Sequence, residues 1–205
     1  MKPPVDLREK IIQESLKLFS LKGFLSTSIH DILEAAGTSK GGLYNHFMSK
    51  EELFFAVLGE AQRIWRQRTL EGLDHIENRI ERIKRLLRNY SNLYLKDTQA
   101  FPGGCVFVTL SVELDDQRPR LSQAITQGFA GFKRMVNHWL DEAKASGEIR
   151  KDVDTKAMTE MIFAGMLGTS VIYGMEKSPD VLDKSIETLI SYVDSLAPGM
   201  RRQRK

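Results

Sequence analysis

Apolar residues return every three or four positions along this chain, the repeat of a helix with one buried side. Leu7, Ile11, Ile12, Leu16 and Phe19 form the first such stripe, which stops at Gly23. Ile29, Ile32, Leu33 and Ala36 make a short second one, and Leu43 with Phe47 a shorter third. Ser49 and Glu52 have capping-box spacing ahead of Leu53, Phe54, Val57 and Leu58, which predicts a fourth helix running to about Gly72. Ile76, Ile80, Ile83, Leu87, Tyr90 and Leu93 share one side of a helix ending near Asp97. After the break FPGGC, the run CVFVTLSVELDD resumes as a short apolar helix. Pro119 can open the next, whose stripe runs through Leu121, Ile125, Phe129, Phe132, Val136 and Trp139 to about Lys144. Segments 155–175 and 179–196 complete an all-α reading.

The second and third stripes lie in SIHDILEAAGTSKGGLYNHFMSK, Ser28 to Lys50, and are joined by a turn just long enough to cross two helices. Thr27 or Ser28 can cap the first, Gly37 can end it in a left-handed conformation, and Thr38 or Ser39 can cap the second. The pattern is that of a helix-turn-helix. A major groove admits one helix, and a second is needed to brace it. With Leu43 and Phe47 inward, Lys40, Tyr44, Asn45 and His46 turn outward, and these are side chains that meet nucleic acid. Gly41 and Gly42 cost helix propensity, about 1 kcal/mol each, but bare backbone approaches phosphates and base edges more closely. An ordinary turn between two core helices satisfies the spacing equally well.

AAGTSKGGLYNHFMSKEELF resembles the DNA-binding domain of TetR-family transcriptional regulators, whose pattern runs approximately AAGVSKGxLYxHFxSKExL. The likeness extends back through IIQESLKLFSLKGFLSTSIHDIL and covers roughly residues 8 to 60, with Leu33 standing where the family usually has Ala. The resemblance implies a three-helix helix-turn-helix domain over residues 5–60, a helical effector-binding and dimerisation bundle over 61–198, and a basic tail at 199–205. It implies DNA contacts from Thr27, Ser28, Ser39, Lys40, Gly41, Gly42, Tyr44, Asn45, His46 and Lys50. Among these Lys50, Tyr44 and Thr27 or Ser28 are expected on phosphates, and Lys40 and Asn45 on bases.

Charge and composition narrow the partner. A net charge of +3 on 205 residues argues against a protein that coats DNA and is compatible with a local basic surface. A single Cys excludes an intramolecular disulfide, no run approaches the ~20 apolar residues of a membrane span, and MKPPVDLREK lacks a signal-peptide core. The expectation is therefore a cytoplasmic protein without a membrane partner. His30, His46, His75 and His138 are scattered, and no metal, phosphate-loop or nucleophile motif is present, so neither an enzyme nor a metal or other cofactor is expected. The basic run Arg79, Arg82, Lys84, Arg85 and Arg88 is interleaved with Glu77 and Glu81 and reads as a solvated face.

For the C-terminal part the resemblance implies a small-molecule effector site, with Trp65, Cys105, Phe107, Phe129 and Trp139 as lining candidates. Each can equally be core, and Cys105 is either a redox switch or a small buried hydrophobe. The last two helices resemble the family's four-helix dimer interface, which nominates Met161, Gly165, Gly168, Ile186, Leu189, Ile190 and Val193 as homodimer contacts. The expected function is a repressor released from a palindromic double-stranded DNA operator by a hydrophobic or amphipathic ligand. The alternative is a regulatory or architectural DNA-binding protein that uses no ligand.

Overall fold

The computed structural model describes residues 6–115 and 117–198. The expected loose arm at Pro3 and Pro4 and the basic tail lie outside the described residues. All regular elements among them are helical: α1 (Leu7–Lys22), α2 (Ile29–Ala36), α3 (Lys40–Tyr44), α4 (Lys50–Thr69), α5 (Arg79–Asn89), α6 (Val106–Leu114), α7 (Pro119–Ser146), α8 (Thr155–Glu176) and α9 (Pro179–Asp194). The all-α expectation holds. Two compact units result, the first holding the described residues up to 65 and from 97 to 128, the second the described residues from 66 to 96 and from 129 onward.

In the first unit α1 packs against α2, α3 and α6. Its core joins Phe19, Phe24 and Phe54 edge to face, with ring centroids 5.5 and 5.3 Å apart, over the fully buried Ile11, Ile32, Leu43 and Leu53. The short α6 thus shares a core with the helix-turn-helix. It enters through a loop whose Gly103 N–H donates to Ser20 Oγ (3.2 Å), and a Cβ on Gly103 would overlap the Ser20 carbonyl.

In the second unit α9 packs on both α5 and α8. Asn78 caps α5 by accepting the Glu81 N–H at 2.9 Å, and Asp154 caps α8. The helix predicted to run from Ile76 to Asp97 is regular to Asn89 and continues as a π-helical stretch, Tyr90–Leu95. The wider turn shifts the phase of the stripe. Leu93, expected in the core, is turned out, while Tyr94 is fully buried and stacks on Tyr90 at 5.6 Å. The basic face is solvated and paired: Arg79 with Glu142 (2.6 Å), Lys84 with Glu81 and Asp194 (both 2.7 Å), Arg88 with Glu187 (3.5 Å). These partners lift the Lys84 ammonium above its usual range and hold the Glu142 carboxyl below its own.

The expected dimer residues divide. Ile186, Ile190 and Val193 are buried in the chain's own core, because the apolar side of α9 is spent on α5 and α8, and their nomination as subunit contacts is corrected. Leu189 closes over Gly165, where an added Cβ would come within 3.0 Å of it, so this pair joins α8 to α9 inside one protomer. Met161 and Gly168 are exposed. They share the free side of α8 with Val171, Ile172 and Met175, the last 79% exposed.

Candidate nucleic-acid interface

Each turn of the helix-turn-helix is fixed by local chemistry. Ser28 and Asp31 form a capping box in which the Asp31 N–H donates to Ser28 Oγ (3.1 Å) and the Ser28 N–H to Asp31 Oδ2 (2.6 Å). Lys22 Nζ reaches the same carboxylate at 2.8 Å, and this contact, followed by the Ser28 bonds, holds the Asp31 carboxyl far below the usual range. Gly37 ends α2 at φ 61°, ψ 44°, a conformation that costs a side-chain-bearing residue. The Gly37 and Thr38 N–H groups close the helix on Glu34 and Leu33 carbonyls, the paired C-cap geometry. One residue on, Ser39 caps α3 by accepting the Gly42 N–H at 3.2 Å.

The third helix is five residues long, too short to stand without packing. Leu43 and Phe47 anchor it, both essentially excluded from solvent, with the Arg8 guanidinium over the Phe47 ring at 5.3 Å. Lys40, Tyr44 and Asn45 are exposed on its other side, and no side-chain hydrogen bond or ion pair to another described residue engages them. His46 is half-buried, 6.4 Å from the Phe47 ring. Gly41 would accept a Cβ in ordinary contact with the Ser39 hydroxyl at 3.8 Å, whereas a Cβ at Gly42 would overlap the Thr38 hydroxyl, so Gly42 serves the turn itself. Ser28 and Ser39 are exposed, but their hydroxyls are engaged as caps. Leu33 is half-buried, and the larger side chain stays outside the fully enclosed core.

Two nominated contacts are placed differently. Thr27 is fully buried, with its hydroxyl donating to the Gly23 carbonyl at 2.6 Å, so it offers no group to a phosphate and that nomination is corrected. Lys50 turns its ammonium back to donate to the Phe24 carbonyl and rest 4.3 Å from the Phe24 ring centroid, and burial lowers its pKa. Neither placement has a local signal in the sequence, because both depend on how the turn after α1 folds back.

The effector candidates fall into both units: Trp65, Cys105 and Phe107 in the first, Phe129 and Trp139 in the second. Cys105 is buried at the head of α6, Phe129 meets Phe163 edge to face at 5.1 Å, and Trp139 lies under the Arg82 guanidinium at 5.6 Å. A separate cleft of about 280 Å³ in the second unit is lined by Arg88, Ser91, Asn92, Asp183, Ile186 and Glu187, none of them among the effector candidates. Among the described residues no helix is long and apolar enough to cross a membrane, and no group of three acidic, His or Cys side chains could hold a metal ion.

A three-helix unit that presents a short, anchored helix with free polar side chains defines the helix-turn-helix class. Comparison with known proteins agrees: residues 11–57 match the model of bacterial regulatory proteins of the tetR family, and residues 79–189 match the tetracyclin repressor-like C-terminal domain. The chain belongs to the TetR family and is a DNA-binding transcriptional regulator, not an enzyme. It is 25% identical to the HTH-type transcriptional repressor DhaR of Mycobacterium sp. (strain GP1) over 87% of each chain. A TetR transcriptional regulator from Chloroflexus aurantiacus J-10-FL superposes with a TM-score of 0.84 at 28% identity, over 91% of this chain and 93% of that one. The regulator CifR, solved in complex with a 26-bp double-strand operator, superposes at 0.80 with 21% identity, over 93% and 98%, and shares the fold.

Proposed function

We propose that the protein is a homodimeric repressor that acts in the cytoplasm, holds a two-fold operator through paired α3 helices, and is released by a small apolar or amphipathic effector. The observation that carries the reading is the helix α3 itself, sealed inward by Leu43 and Phe47 and unpaired outward at Lys40, Tyr44 and Asn45. In this reading Lys40 donates to guanine, Asn45 pairs with adenine, and Tyr44 and Ser28 hold phosphates. Ser39, Gly41, Gly42 and His46 border the same groove, and Lys50, its ammonium engaged on Phe24, would have to release that contact to reach a phosphate.

Dimerisation is supported by the stripe on α8. Met161, Ala164, Gly168, Val171, Ile172 and Met175 recur at three and four residues and are all exposed, on a helix whose opposite side is core. A symmetric second copy covers such a stripe without leaving an open end. The proposed division assigns residues 5–60 to DNA and 61–198 to effector and dimer contacts, with α6 shared in core with the former. Effector binding by Trp65, Cys105, Phe107, Phe129 and Trp139 belongs to the proposal, as does repression. DhaR, named a repressor, supports the latter. A regulator without a ligand is the second reading, favoured by the polar lining of the described cleft.

The test is selection of a duplex from a random library by the full-length protein, followed by a screen of hydrophobic compounds for release of that duplex. A two-fold symmetric selected site and a releasing compound support the proposal. A selected site with no releasing compound favours the ligand-free reading, and no selected site contradicts both.

A further inference from the structure

Glu113 lies near the end of α6, yet its carboxylate ends on the turn between α1 and α2, 89 residues earlier in the chain. The Phe24 N–H donates to Oε2 at 2.6 Å and the Leu25 N–H to Oε1 at 2.9 Å. Two successive backbone donors thus close on one carboxylate, a charge-assisted pair that leaves neither orphaned. Room for it comes from Gly23, which sits at φ 80° and whose missing Cβ is the space the carboxylate fills. Phe24, held at its N–H by Glu113, is held at its carbonyl too. Lys50, first residue of α4, donates to the Phe24 carbonyl and lies over its ring, and it feels the Glu113 charge as an attraction.

From this turn to the DNA face there is little slack. Thr27 is tied by its hydroxyl to Gly23 O and by its N–H to Phe24 O, Ser28 caps α2, and three residues separate α2 from α3. We propose that Glu113 is a positioning residue that couples α6 to the recognition helix, through the Phe24 peptide to α2 and α3 and through Lys50 to α4. A displacement of α6 then withdraws one carboxylate, and with it both acceptor oxygens, from two amides and loosens Lys50 at the same time. The inference rests on the DNA-binding function above and adds to it the atoms that carry the coupling. By linkage, a duplex bound at α3 must in turn restrain α6.

Amide hydrogen exchange tests this in the full-length protein, alone and with the duplex that the wild type selects from a random library. In the free protein Glu113→Gln, which puts an amide donor where an acceptor is needed, should speed exchange at Phe24 and Leu25 by about tenfold while Leu16 in α1 keeps its rate. In the wild type the duplex should slow exchange at Leu43 in α3 and at Leu110 in α6. In the variant it should slow Leu43 alone, a separation that a merely structural role would not produce. Glu113→Asp, which keeps the charge but stops one methylene short, should uncouple in the same way and serves if the Gln variant folds poorly. Protection of Leu110 that survives both substitutions overturns the coupling, as does a wild type in which the duplex protects α3 but not α6. A wild type that selects no duplex contradicts the DNA-binding function itself, and the coupling falls with it.

Discussion

Leu43→Ala tests the idea that α3 is held by its inward side. Leu43 is fully excluded from solvent, and the substitution removes three carbons from the centre of the three-helix core. At about 0.8 kcal/mol per buried methylene the transfer loss is roughly 2.4 kcal/mol, and an unrelaxed cavity brings it to about 3–4 kcal/mol. A five-residue helix with one further anchor, Phe47, cannot reseat itself over that void without moving Lys40 and Asn45. Urea unfolding followed by circular dichroism at fixed protomer concentration measures the stability loss, and titration of the selected duplex measures binding. Lys40→Ala, exposed on the same helix, is the control: unfolding within about 0.5 kcal/mol of wild type and weakened binding. A Leu43→Ala protein that loses less than about 1 kcal/mol and binds as the wild type does would refute the packing argument.

Three further outcomes are expected. Met161→Glu with Met175→Glu should dissociate the homodimer in sedimentation without unfolding the protomer, whereas Ile186→Glu should unfold it by burying an unpaired charge; the reverse pattern would show that α9 and not α8 carries the interface. Gly103→Ala should lower thermal stability by about 1–3 kcal/mol, because its Cβ meets the Ser20 carbonyl, and an unchanged melting temperature would contradict that close approach. The Asp31 carboxyl, depressed by Lys22 and by the Ser28 cap, adds stability that is fully present above its ordinary value of 3.8 and is lost as the pH falls towards its folded value. Its carbon-detected NMR titration should therefore fall below those of the other carboxylates, and a midpoint in the ordinary range would contradict the capping box.

The helix-turn-helix was legible because its signals are local: Ser28 three residues before Asp31, Gly37 at the one left-handed position of the turn, Ser39 before the next helix. The packing of α9 was not, since an amphipathic stripe tells which side of a helix is buried but not against what. The side of α9 carrying Ile186, Ile190 and Val193 closes on its own chain, and the plainer stripe on α8 is left free. Leu93 was misplaced because regular periodicity was carried through a π-helical turn that shifts the phase by one residue. The Glu113 carboxylate on the Phe24 and Leu25 amides, and the ammonium of Lys50 on Phe24, join residues far apart in sequence, and no spacing rule could have found them.

Binding-site selection with single variants of α3 tests most directly the claim that this helix reads the groove. Lys40→Ala and Asn45→Ala should each lose about 1–3 kcal/mol and relax preference at one base pair per half-site. Tyr44→Phe, which removes a phosphate contact, should weaken binding alike for all sequences and leave the selected site unchanged. If Tyr44→Phe altered the preferred sequence while Lys40→Ala and Asn45→Ala lowered affinity uniformly, the assignment of the outward side of α3 would be contradicted.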